Sequence, residues 1–304
     1  MEQKYLLGLD NKVYEHPADK KALQKLRALP GFETVTNFFL NWTYLKWQLV
    51  SLQGSCFQVT PDSCEDLYNQ ISDVARTLDV HPLPKLYTEW EYGINGYTTG
   101  YNDNVIMVLK SGAVDLLTPE ELRFVVGHEM GHIKSGHVLF HMMAQLFNIA
   151  LSQLPLIGTM AEPIRYALLY WNRMSEFTAD RAGLLACQDI DVALSATVKM
   201  AGLPMKYFGT NVRDGFMKQA ESFQLDLDNL SDRAIKTLTI ASSTHPWTVM
   251  RAAQLIKWHQ SGEYQAILDD KTASICIWPD CKQPIPQGST TCPHCGRTQR
   301  VLFL

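Results

Sequence analysis

The sequence predicts an α+β fold that is mostly α-helical, with one small sheet and a compact cysteine-bearing module at the C-terminus. Three observations carry this. Apolar residues recur at three- and four-residue spacing through the first 80 residues and again beyond residue 118. Short β-prone runs are confined to residues 83–109. Four of the seven cysteines, Cys276, Cys281, Cys292 and Cys295, crowd the last 30 or so residues.

The elements follow in order. DKKALQKLRAL (19–29) and CEDLYNQISDVARTL (64–78) carry helical periodicity, so residues 1 to about 80 read as helical. LYTEW, YTTGY and NVIMVL then read as strands, with Gly and Asn-Asp turn signals between them. Thr118-Pro119-Glu120-Glu121 announces a helix, with a Thr cap, Pro in the first turn and Glu three residues after the cap. That helix carries GHEMGH (127–132) and is expected to end near Gly136. A second helix is expected to start near Pro163 and run through SEFTADRAG (175–183). The boundaries drawn are an N-terminal helical region at 1–64, a central domain at 65–262 and a small module at 270–304.

Composition excludes some classes. Apolar residues make up 46% and charged residues 19% of 304, enough for a substantial core. A net charge of −4 argues against a nucleic-acid surface. No secretory signal opens the chain, which predicts a cytoplasmic setting and cysteines kept reduced as metal ligands. No apolar run reaches the roughly 18 residues that a spanning helix needs. The nearest stretch, 138–171, is broken by polar residues and two prolines. It reads as a buried helical hairpin, or in the sharper alternative as a surface in peripheral contact with a membrane.

The chemistry centres on GHEMGH. Residues four apart project from one helix face, so His128 and His132 can offer imidazole nitrogens to a single ion. Glu129 follows the first ligand, placed to handle a proton on a metal-activated water. This is the HExxH pattern of zinc-assisted hydrolysis. Chance would produce it in roughly one in a hundred chains of this composition. A third histidine ten residues after the first is absent, because position 138 is Val; His137 and His141 read as helix-end residues. The better third ligand is Glu176, with Asp180 one turn on to orient a ligand histidine.

These pieces together resemble the HtpX and CAAX-prenyl-protease family of zinc endopeptidases, a gluzincin group. GHEMGHIKSGH, SEFTADRAG, the strand-turn-helix run from Asn104 to His132 and THPWTVMR (244–251) are similar to the family's segments in the same order. The resemblance implies a gluzincin peptidase domain with zinc on His128, His132 and Glu176, Glu129 as catalytic base and Asp180 behind the ligands. It also implies that His245 stabilises the oxyanion. NGYTTG (95–100) is similar to the family's substrate-binding strand, which makes Asn95, Gly96 and Tyr97 the substrate contacts. Position 96 is Gly where the family usually has Ala, and the family's membrane members carry spanning helices that this chain lacks.

The cysteines complete the reading. Cys276-x4-Cys281 and Cys292-x2-Cys295 can close a four-thiolate site, and CPHCG resembles one knuckle of a zinc ribbon. His294 is the outside alternative ligand. Two Zn2+ ions are thus expected, one catalytic and one structural. The expected partners are a peptide or unfolded-protein substrate, in a protein quality-control role, and a protein docked through the ribbon. The rival from another class is a non-catalytic, chaperone-like peptide binder.

Overall fold

The computed structural model describes residues 3–41, 43–101, 104–153, 158–209, 213–225, 247–276, 278–281, 283–286 and 289–298. Strand β1 (Tyr5–Leu6) leads to helices α1 (Pro17–Arg27), α2 (Phe32–Asn41) and α3 (Thr43–Ser55). Strand β2 (Phe57–Val59), helix α4 (Glu65–Thr77) and strands β3 (Lys85–Glu89), β4 (Gly96–Tyr101) and β5 (Asn104–Lys110) follow. Next come α5 (Ser111–Leu116), α6 (Pro119–Lys134), α7 (Val138–Gln153) and α8 (Gly158–Cys187). Helices α9 (Ile190–Met200), α10 (Arg213–Leu225), α11 (Thr248–Gln260) and α12 (Glu263–Lys271) precede strands β6 (Thr272–Ile275) and β7 (Pro284–Pro286). The protein is mostly helix with a small sheet, as the sequence predicts.

That sheet has the order β2-β3-β5-β4, with β3 parallel to β5 and the other pairs antiparallel. Ile106 to Leu109 are fully buried, which explains why β5 reads as a continuous apolar run and lies inside the sheet. Strand β4 forms the edge nearest α6 and α7. Two strands fall where helix was expected. Residues 57–59 are too short to show any period, and pairing with β3 makes them a strand. Tyr5–Leu6 pairs with β6, which ties the start of the chain to the cysteine module.

The described ends of the 138–171 segment pack inward. Met142, Met143, Leu146 and Phe147 of α7 and Ile164, Leu168 and Trp171 of α8 share a core with Leu26 of α1 and Phe32, Val35 and Phe39 of α2. No helix among the described residues is long and apolar enough to cross a membrane. Helix α8 begins at Gly158, ahead of the expected start at Pro163. The proline sits in the second turn, where its missing N–H removes one bond near the helix end, and packing by Ile164 and Leu168 holds the turn.

One contact sets how two of the helices meet. Helices α6 and α8 approach so closely that a Cβ on Gly127 would stand 2.2 Å from the Cβ of Ala186, and one on Gly131 2.5 Å from that of Ala182. Small residues on both faces bring the two backbones together, and with them the side chains one position along.

Candidate active site and metal centres

Thr118 caps α6 as the sequence anticipates. Its hydroxyl accepts from the Glu121 backbone N–H, and the Glu121 carboxylate accepts from the Thr118 N–H at 2.8 Å. At the other end Gly136 takes φ +69°, and the His137 N–H bonds back to the His132 carbonyl at 3.0 Å. Between these stops, His128 and His132 face α8, where Glu176 and Asp180 share one face.

Nε2 of His128 lies 3.1 Å from Nε2 of His132, and the Glu176 oxygens lie 3.5 and 3.4 Å from them. Ligands at the usual zinc distances in a tetrahedron stand roughly 3.3–3.4 Å apart. The spacing therefore fits one zinc ion. The chemistry fits too: His128 Nδ1 is taken by Asp180 at 3.0 Å and His132 Nδ1 faces His137 Nδ1 at 3.1 Å. Three acceptor atoms are left converging on one point. All three residues are buried.

Burial would depress His128, yet its bonds to Asp180 and Glu176 outweigh it and raise the ring to about 9, whereas burial holds His132 down at about 4. Burial also pushes the Glu129 carboxyl up to about 7. Glu129 lines the same cleft as His128, His132 and Glu176, together with Asn95 and with Gly96 and Tyr97 of the β4 edge. A Cβ on Gly96 would meet the Glu129 Cγ at 3.3 Å and the Leu109 side chain at 3.1 Å, so this chain leaves that space open. The Tyr97 hydroxyl donates to Glu89, which also accepts from Lys110.

Arg251 of α11 is 7% exposed and braces the centre from behind. Its Nε donates to Asp180 Oδ2 at 2.9 Å and its Nη2 to Oδ1 at 2.5 Å, while Nη1 lies 3.5 Å from Glu176. In sequence it is only the arginine that ends THPWTVMR; nothing there shows that it reaches back some 70 residues. His245, given the oxyanion role by resemblance, lies outside the described residues. His137, expected only as a helix-end residue, and Asp19, to which the sequence gives no role, also meet here. His137 faces His132, and Asp19 of α1 lies 3.3 Å from the far nitrogen of His137.

The second cluster is built differently. Cys276 and Cys281 follow and precede the β6–β7 pairing, and Cys292 and Cys295 flank the turn closed by the Gly296 N–H to the Cys292 carbonyl. The Sγ atoms of Cys276 and Cys295 are 3.8 Å apart and those of Cys281 and Cys292 are 3.7 Å apart. Four thiolates around zinc stand roughly 3.8 Å from one another. The four sulfurs thus fit a closed zinc site, and exposed His294 stands outside the group.

Comparison with known proteins agrees with this geometry. The model of Peptidase family M48 matches residues 61–259. The plastoglobule-localized metallopeptidase 48 of Arabidopsis thaliana is 30% identical over 263 residues, covering 86% of this chain and 76% of the relative. A protease HtpX homolog of Ralstonia pickettii is 25% identical, covering 76% of this chain and 86% of its own. With an HExxH helix braced against the helix of Glu176, and a family match over most of the chain, the protein belongs to Peptidase family M48 and is a metalloprotease.

Proposed function

We propose that this metalloprotease is a zinc-dependent endopeptidase that cleaves extended segments of peptides or unfolded proteins, with Glu129 as general base. The observation that carries the proposal is the convergence of His128, His132 and Glu176 within 3.1–3.5 Å, beside Glu129 and the β4 edge. When bound there, zinc supplies the Lewis acidity that activates water and polarises the scissile carbonyl.

The chain's own groups do the rest. Glu129 takes the proton of the attacking water and returns it to the leaving nitrogen; its burial, which raises the carboxyl in the metal-free centre, favours its holding that proton between the two transfers. Asp180 accepts from His128 Nδ1 and fixes that ligand's tautomer, while Arg251 compensates the buried Asp180 and Glu176 charges. The free side of β4 accepts an extended backbone by strand addition at Asn95, Gly96 and Tyr97, a mode that tolerates many sequences. By family resemblance, His245 donates to the developing oxyanion, so His245→Ala lowers kcat more than it raises KM.

Within the proposal, residues 65–262 form the catalytic unit, 1–64 the helical region packed on it, and 270–304 a ribbon that keeps a structural zinc and docks a partner protein. Four reduced thiols suit a reducing, cytoplasmic-type compartment, and the role proposed is protein quality control. Hydrolysis of an unstructured peptide by zinc-loaded wild type and Glu129→Gln tests the core of the reading. The expected result is loss of cleavage with zinc retained. Cleavage within a few-fold of wild type overturns it.

A further inference from the structure

The two ligand histidines differ in what stands behind them. His128 lies in the middle of α6 and backs directly onto the Asp180 carboxylate. His132 lies in the last turn of α6, where the helical hydrogen bonds give out, and among the described residues no carboxylate touches its Nδ1. Instead His132 Nδ1 faces His137 Nδ1 at 3.1 Å, and His137 Nε2 lies 3.3 Å from Asp19 Oδ2. Asp19 is 1% exposed and is held from two more directions, by the Trp171 indole N–H at 2.8 Å and the Thr178 hydroxyl at 2.6 Å.

Proton placement along this chain is forced. A neutral histidine that offers Nε2 to a metal carries its proton on Nδ1. His132 therefore donates to His137 Nδ1, which accepts. His137 then carries its proton on Nε2 and donates it to Asp19. The opposite tautomer of His137 sets two N–H groups against each other and a bare nitrogen against a carboxylate oxygen. Asp19 thus accepts from His137, from the Thr178 hydroxyl and from the Trp171 indole, three donors of the kind that a buried carboxylate needs.

We propose that Asp19 and His137 form a positioning arm of the metal centre, in which the α1 carboxylate acts through the His137 ring to fix the tautomer and orientation of His132. The inference rests on the reading of His128, His132 and Glu176 as the zinc ligands. It adds to that reading a helix that lies ahead of the family match at 61–259. Carboxylate behind histidine is the usual way to orient a metal ligand, and here a second histidine extends the reach. The nearby group His132, His137 and His141 is the competing arrangement, since these three could themselves hold an ion. Where His132 serves that group through the Nδ1 that faces His137, a neutral ring does not at the same time carry the Nδ1 proton that the arm uses.

The test is zinc affinity by chelator competition on the full chain, measured for wild type, Asp19→Asn, His137→Phe and the double variant. Each single change is expected to weaken zinc binding about 10- to 100-fold, the usual loss for an outer partner. The double variant is expected to bind no more weakly than His137→Phe, because the carboxylate works only through the ring. Wild-type affinity in folded single variants overturns the proposal, as do additive losses. A merely structural role lowers the melting temperature of the metal-free protein and leaves zinc affinity alone.

His128→Ala and Glu176→Ala separate the layers. Loss of the catalytic zinc in both, with normal affinity in Asp19→Asn and His137→Phe, sinks the arm alone. Retention of zinc in Glu176→Ala and its loss in His141→Ala sinks the ligand reading itself and moves the ion to the three-histidine group. Should His137→Phe fail to fold, imidazole 15N–1H correlation of the zinc-loaded wild type decides. A proton on His137 Nε2 supports the arm, and a proton on Nδ1 overturns it.

Discussion

The cluster of His128, His132 and Glu176 draws its atoms from two long helices that packing has already locked together. The cluster of Cys276, Cys281, Cys292 and Cys295 draws its atoms from two turns that, among the described residues, have almost no core of their own. Around the first, Gly127 and Gly131 seat against Ala186 and Ala182, and a large apolar core surrounds both helices. Around the second, the buried residues among those described are Cys276, Ile285 and Cys292. A site of the first kind has its geometry before metal arrives, so binding adds to a fold that exists. A site of the second kind has no such reserve, and a metal bound there would supply the folding energy of the segment around it. The first leaves a position open beside Glu129 and a strand edge, whereas four thiolates close the second.

The largest effect expected separates chemistry from metal binding. Glu129→Gln should lower kcat/KM by about 100- to 10,000-fold while zinc content is unchanged, because the side chain handles a proton without ligating. Peptide hydrolysis rates beside elemental analysis make the measurement. Zinc lost along with activity would place Glu129 among the ligands and break the contrast between an open and a closed site.

Metal removal sharpens the comparison next. The reduced protein should carry two zinc ions per chain, since the two clusters share no residue. Glu176→Ala should lose one of them and keep a cooperative thermal transition, because α6 and α8 pack without it. Cys292→Ser should lose the other and expose residues 270–304 to proteolysis, while short-peptide cleavage persists. A single zinc in wild type, lost entirely in Cys292→Ser, would mean that the cysteines do not form a site independent of the histidines.

How much of this was legible follows the same divide. GHEMGH, Glu176 and the paired cysteines stand out because ligands on one helix face or one turn keep a fixed spacing in sequence. The capping box of α6 was legible for that reason too. Arg251, His137 and Asp19 make their contacts across the fold, 71 residues from Asp180 in one case and from α1 in another, and no local spacing encodes that. Strand β2 was missed because three residues show no period, and β1 because its pairing partner lies at the far end of the chain.

A smaller effect probes the packing that makes the first site rigid. Gly131→Ala puts a methyl where the Ala182 Cβ lies 2.5 Å away, so α6 and α8 must part or the chain must strain. Overpacking of this kind costs about 1–3 kcal/mol. Zinc affinity should fall as well, since Glu176 moves with α8. Ala182→Gly in the same chain should restore part of both losses. Urea midpoints and chelator competition read the two quantities. An unchanged midpoint in Gly131→Ala would show that the interface yields, and the claim of a prelocked site would fail.

The smallest effect is a dependence on pH, and it belongs to the histidine side alone. Asp19 is buried, which works to raise its pKa, but bonds from His137, Thr178 and Trp171 prevail and leave it below the ordinary 3.8. A carboxyl depressed in the folded state contributes stability that is fully present above its unfolded value. That stability is lost as pH falls through the folded value. In the metal-free protein, Asp19→Asn should therefore be less stable than wild type at neutral pH, by about 1–3 kcal/mol for a buried acceptor deprived of its charge. The gap should narrow on acidification below the ordinary carboxylate value, because wild type then loses what the variant never had. Urea unfolding of both proteins in chelator, at neutral and acidic pH, measures the gap directly. A gap that stays constant would mean that Asp19 is not ionised in the fold, and the contrast between a histidine site backed by buried charge and a thiolate site without it would lose one of its two supports.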